Sequence, residues 1–157
     1  MIFRNSLVIL FSICSFLLSC KGQNTKNKLH LADSNLKVGQ IWKYKNRTGE
    51  DSSTVTILKI EKYEKGDTII HIRVDNIKIY SPQSATGFSN VVDHLPYSKN
   101  ALLKSITKLV GQTNDLPDFS EGYNLWKEAW DSGAAGYWTT DLKEAIDGVD
   151  KNSRSQK

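Results

Sequence analysis

The feature that most limits the fold is residues 41–80, where short segments of period-two hydrophobicity are separated by turns. Residues 68–74 alternate most cleanly: Ile70, Ile72 and Val74 point one way, His71 and Arg73 the other. Residues 41–47 do the same, with Trp42 and Tyr44 on one side and Lys43 and Lys45 between them. Residues 53–63 are dense in Val, Thr and Ile and read as a strand; a change of phase between Ile57 and Leu58 points to a bulge or to burial on both faces. Turn residues at 48–51 and 66–67 join these segments. A parallel pair needs a crossover of about a dozen residues, so connections this short force an antiparallel up-and-down meander. A second change of phase after Asp75 and Asn76 predicts a tight hairpin or another bulge before Ile77 and Ile79. After a loop over 81–87, residues 88–93 supply one more short strand.

The second half changes period. His94, Leu95, Pro96 and Tyr97 lead to Ser98, a candidate N-cap. Leu102, Leu103, Ile106, Leu109 and Val110 then recur at helical spacing, Lys99, Lys104 and Lys108 take the other side, and Gly111 closes the pattern as a C′ residue. A second helix is predicted from Asp118, spaced with Glu121 as a capping box, with Tyr123, Trp126 and Trp130 on one stripe and residues 133–136 as its stop. Residues 137–139 fit a short strand, 141–146 a last short helix after Thr140, and 151–157, with no apolar side chain, a frayed end. The expected class is α+β: a four- to five-stranded antiparallel meander followed by two to three helices packed on one face.

Ahead of this domain the chain changes character. Residues 1–5 carry one positive charge, Arg4, and residues 6–18 are almost wholly apolar, about 13 residues against the roughly 20 that a spanning helix needs. Leu17, Leu18, Ser19 and Cys20 close that run, and a polar stretch follows. The pattern resembles the lipobox of bacterial lipoproteins. The resemblance implies removal of residues 1–19 as a signal peptide and attachment of diacylglycerol to the Cys20 thiol, often with a further acyl group such as palmitate on the new amine. Two or more chains give stable anchoring where one does not. Lys21 stands where enteric lipoproteins retained at the inner membrane carry Asp, which favours the outer membrane in a cell that has one. The expected location is the cell envelope, and the membrane lipid at acylated Cys20 is the first partner.

Residues 20–36 then form the lipidated cysteine and a flexible tether rich in Lys, Asn, Gln and Ser, 37–150 a single domain, and 151–157 a disordered tail. Removing 19 residues leaves 138, enough for one domain with a core. Of the two cysteines, Cys14 lies in the leader and Cys20 is acylated on this reading, which leaves none for a disulfide or a thiolate metal site. Charge is unevenly spread: residues 20–110 hold 15 Lys or Arg against 8 Asp or Glu, and residues 111–157 hold 5 against 9. Complementary solvated faces of one domain account for this, with anionic head groups or glycans as the functional alternative. The chain carries neither an Arg-rich cluster nor a nucleic-acid motif, so no nucleic-acid partner is expected.

Candidate chemistry is sparse. Tyr123, Trp126, Trp130, Tyr137 and Trp138 fall within 16 residues. Their spacing is that of a stripe packed on a sheet, and the accessible members would stack on sugar rings or anchor a protein. Trp126, Trp130 and Trp138 are therefore the candidate partner surface, with Trp138 expected to be the most accessible. Asp93 beside His94, with His71 elsewhere, has the elements of a carboxylate-oriented imidazole. Neighbours on a strand point to opposite faces, however, and no nucleophile motif such as Gly-x-Ser-x-Gly is present. No catalytic residue is assigned. Three His, without a His-x-x-x-His pair or usable thiols, leave no metal ligand set, and no cofactor is implied.

The segments at 94–98, 121–129 and 133–138 are similar to a group of exported bacterial proteins of unknown role, a resemblance spanning about 110 residues from Leu36 that implies no active site. The expected function is a membrane-anchored envelope lipoprotein acting as a non-catalytic module that binds a protein or glycan. The alternatives are a small envelope hydrolase using His94 or an envelope inhibitor of immunity type.

Overall fold

The computed structural model describes residues 36–63, 66 and 68–155. Five strands, β1 (Gln40–Tyr44), β2 (Thr54–Lys62), β3 (Thr68–Tyr80), β4 (Phe88–Ser98) and β5 (Ile106–Gln112), form one antiparallel sheet in the order β4-β3-β2-β1-β5. Among the described residues three helices accompany it: α1 (Lys99–Ser105), α2 (Ser120–Asp131) and α3 (Leu142–Ser155). The fold is α+β, and its first four strands are the meander that the short connections require. Gly39 shapes the entry to β1 with φ +84°; a Cβ there would lie 2.0 Å from the carbonyl oxygen of Thr113.

The phase change expected in β2 is a bulge. Ile57 pairs with Ile72 and Lys59 with His71, so Leu58 is the extra residue. The break at Asp75 and Asn76 is also a bulge and not a hairpin: β3 runs on to Tyr80, and Asn76 takes φ 56°, a conformation Asn tolerates better than most residues. β4 extends past the expected end at 93 through Ser98, taking in residues read from sequence as the approach to a helix. Pro96 is compatible because β4 is an edge strand. Its carbonyl accepts from the Trp138 N–H (2.9 Å) on the outer side, which is also where its missing N–H would point.

The helix expected over 99–110 stops at Ser105, and Ile106–Gln112 becomes β5 against β1. Ile106, Thr107 and Val110 are β-branched, and pairing supplies a full hydrogen-bond ladder that two more turns of a surface helix would not better. Gly111, expected as a helix stop, instead lies opposite Ile41. Residues 137–139 contribute one parallel bridge, Trp138 to Tyr97. The last helix is longer than expected: the end predicted to fray from Lys151 is helical through Ser155, held where Asp150 accepts the Tyr80 N–H at 2.6 Å and pairs with Arg154.

The helices do not share one face, which corrects the finer part of the expected arrangement. Val55, Ile57, Ile70, Ile72, Val74, Leu95 and Tyr97 face Leu102 and Leu103 of α1 and Leu142, Ala145 and Ile146 of α3, all in one apolar cluster. The alternate positions Lys59, Glu61 and His71 point to the other side, where α2 brings Tyr123 and Trp126 against them. Each fully buried Ile of the first face is worth about 1.5–3 kcal/mol of transfer free energy. The second face is stabilised differently.

Candidate site beneath the aromatic helix

Helix α2 begins one residue later than the capping box predicted. Its N-cap is Phe119, and the Asp118 carboxylate accepts the Ser120 N–H at 2.9 Å in place of a box with Glu121. In the first turn Gly122 lies directly on β4, and a Cβ there would come within 2.9 Å of the Cβ of His94. Glycine costs a helix about 1 kcal/mol relative to Ala, and this close approach is what it permits.

Along α2 runs a row of rings. Phe119 meets Tyr123 at 6.1 Å, Tyr123 meets Trp126 at 6.1 Å, Trp126 stacks on Trp130 at 5.3 Å, and Trp130 meets Tyr137 at 5.9 Å. Tyr63 from the end of β2 joins at Trp130, 5.4 Å away. Only Trp126 of these is buried, at 8% exposure, with its indole N–H donating to the Gly136 carbonyl; the others are half-buried. The three tryptophans singled out from sequence therefore do not form one surface. Trp126 and Trp130 are neighbours in this row. Trp138, expected to be the most accessible, packs half-buried against the apolar cluster on the other side of the sheet and touches Gly148 of α3. Cys20 lies outside the described residues.

Under the row, Glu61 organises a polar network. Its Oε2 is 2.8 Å from Nε2 of His71 and accepts from the Tyr63 hydroxyl at 3.2 Å; its Oε1 accepts from the Tyr123 hydroxyl and from the Lys59 ammonium, both at 2.9 Å. Lys59 also donates to the Tyr123 oxygen and lies 3.9 Å from the centre of that ring. Nδ1 of His71 is 2.8 Å from Nε2 of His94, the two rings stacked at 5.1 Å.

The protonation pattern follows from these bonds. Burial pushes the Glu61 carboxyl up, but the bonds from Lys59, Tyr123 and His71 outweigh it and hold the group at about 2, so it is ionised and accepts only. His71 must then carry its proton on Nε2 and accept at Nδ1, which requires the proton of His94 to sit on Nε2. Burial lowers His71 despite the pull of Glu61, and burial followed by the neighbouring His71 lowers His94 to about 4, so both rings are neutral at pH 7. Nδ1 of His94 has no partner among the described residues. No buried side-chain nitrogen or oxygen there lacks one, so this lone pair is reached by solvent.

At the N-terminal end of α2 a cleft of about 410 Å³ opens beside this network. Leu116 and Pro117 form an apolar wall, Phe119 and Tyr123 present rings at 79° to one another, and Lys59, Asp118 and Ser120 bring the polar atoms. The N–H and hydroxyl of Ser120 hold the Asp118 carboxyl below its ordinary range.

Sequence reasoning placed Asp93 and His94 on opposite faces and His71 outward. A bulge in β4, where Ile72 pairs with Leu95 and Val74 with Val92, instead turns Asp93 towards Arg73 (2.6 Å) and His94 towards His71, two residues on one side of β3. His71 is fully buried because α2 roofs that side. Glu61, Lys59 and Tyr123 were missed as a group, since each reads alone as an ordinary strand charge or helix aromatic. Lys59 and Glu61 at i and i+2 on a strand, in register with His71, were the available signal.

These observations define an α+β sheet protein with a carboxylate–imidazole–imidazole chain, buried at its central imidazole, under an aromatic helix. No protein-family model, curated protein or solved structure matches the chain.

Proposed function

We propose that the chain is a lipoprotein anchored in the bacterial cell envelope through acylated Cys20, whose domain is a non-catalytic module that binds a protein or glycan with the face of α2. The row of rings from Phe119 to Tyr137 carries this reading, because it leaves rigid aromatic surface half-exposed at both of its ends. Such rings give large contact area at low conformational cost, the property that enriches them in binding sites. The apolar leader ending at Leu17, Leu18, Ser19 and Cys20 supports the anchor.

Photo-crosslinking from residue 130 in intact cells tests the reading. A specific adduct is expected that disappears when Trp130→Ala is introduced with the crosslinker moved to residue 137. An adduct pattern identical to that of a crosslinker at an exposed α3 position removes the proposal. Cys20→Ser is expected to shift the protein from the membrane fraction; retention there sinks the anchor.

The chain from Glu61 through His71 to His94 favours a second reading, an envelope hydrolase with His94 as base. Since the hydrogen bond of His94 goes to His71 and not to a Ser or Thr hydroxyl, the nucleophile would be water. Hydrolysis of an ester by the purified protein, abolished by His94→Ala, is what that reading requires.

A further inference from the structure

The cleft at the start of α2 narrows the ligand, given the binding reading above. Glu61 already accepts four hydrogen bonds, from Lys59, Tyr123, His71 and Tyr63, which is the full capacity of a carboxylate. Its charge and that of Lys59 therefore cancel within the network, and Lys59 and Tyr123 are fixed in place as a donor and a ring wall. An ammonium has three N–H groups; two of those on Lys59 are used, and the third is left for the cleft.

Charge then disfavours two ligand classes. A carboxylate or phosphate would meet the Asp118 carboxylate, which the N–H and hydroxyl of Ser120 keep ionised, with no unneutralised cation to offset the repulsion. A cation would be left with the Phe119 ring and one exposed, solvent-screened carboxylate at Asp118, because Lys59 already occupies the ring of Tyr123; it would leave Leu116, Pro117 and Ser120 unused. What fits is an uncharged molecule with one apolar face for Phe119, Leu116 and Pro117 and a rim of hydroxyls for Asp118, Ser120 and the spare N–H of Lys59. We infer that this cleft is a saccharide-binding site taking a neutral sugar ring. Its volume lies in the lower part of the roughly 300–1,000 Å³ range of small-molecule sites. The wider groove of about 800 Å³ by Phe88 is a poorer seat, because Lys78 covers its one ring, that of Phe88.

The test is a tryptophan-fluorescence titration of the full chain bearing Cys20→Ser, since Trp126 lies 6.1 Å from Tyr123 and reports on it. The probes are the N-acetylglucosamine disaccharide, maltose and cellobiose, with glucuronate and tetramethylammonium as charged controls. A saturable change with at least one neutral sugar is expected, weakened about tenfold by Phe119→Ala, the loss of one stacking ring. Asp118→Asn, at an exposed position where misfolding is not a concern, should weaken it severalfold. Absence of saturation with every neutral sugar, preference for a charged control, or indifference to both substitutions overturns the inference. A cellular adduct that needs Trp130 and ignores Phe119→Ala would leave the binding reading standing and remove the sugar.

Discussion

The two faces of this sheet solve burial in opposite ways. On one, Ile70, Ile72 and Val74 meet Leu102, Leu142 and Ile146 in a cluster that holds no carboxylate or imidazole. On the other, one residue along the same strand, His71 is just as buried but survives there only because Glu61 and His94 satisfy both of its nitrogens. Apolar packing needs only shape and volume, whereas a buried polar chain needs every partner in place. A buried ion-and-imidazole network is weak evidence for stability, because well-packed apolar side chains do as well or better. Its retention under the half-exposed rings of α2 is the reason to look for binding on that side.

The contrast is broken most directly at Ile72. Ile72→Ala should cost about 4 kcal/mol in urea unfolding, the sum of lost transfer energy and an uncollapsed cavity. Truncating the other face at Glu61 should cost less, about 3 kcal/mol for Glu61→Ala, because it leaves His71 and Lys59 without their acceptor. A Glu61→Leu, His71→Leu, His94→Leu variant should recover most of that loss. If it does not, the network is structural and the faces differ less than argued.

Between pH 7.5 and 4, acid should act mainly on the second face. His71 and His94 both sit below their ordinary value when folded, His94 at about 4, so as pH falls below 6.5 the unfolded chain binds the proton first. Their contribution is whole above pH 6.5 and falls with pH, His94 losing about 2 kcal/mol by pH 4 once partial exposure is allowed for and His71 adding to the loss in the same direction. Glu61, held at about 2, adds a further loss only between pH 4.5 and 2. Urea midpoints measured from pH 7.5 to 4 should fall in the wild type and flatten in the triple Leu variant; an equally steep fall in both refutes the assignment. The smallest effect is at Gly122, where Ala gains helix propensity but drives a Cβ into His94. A net loss of about 1 kcal/mol and displaced ring signals of His94 are expected, and a stabilised protein with unmoved signals would show that the helix does not press on β4.

Much of the first face was legible beforehand. The period-two runs through Ile70, Ile72 and Val74, the phase change at Leu58 and the short turns are local facts, and each maps onto the antiparallel sheet. Residues 106–112 were not legible, since Ile106, Leu109 and Val110 fit a helix as well as a strand, and the available edge of β1 decided between them. The candidate site was less legible still. Trp126 and Trp130 were found as a stripe, yet Trp138 sits across the sheet from them, and His71 reads outward until a helix 50 residues later covers it.

The amino-acid sequence by itself settled what alternation and turn chemistry settle: the antiparallel meander, the class, and which strand positions alternate. Tertiary structure decided which of the two alternating sets would also be covered. It brought Glu61, His71, His94 and Tyr123 together across as many as 62 residues. Hydrogen bonds of that reach depend on where a helix comes to rest against a sheet, and no local pattern encodes that position.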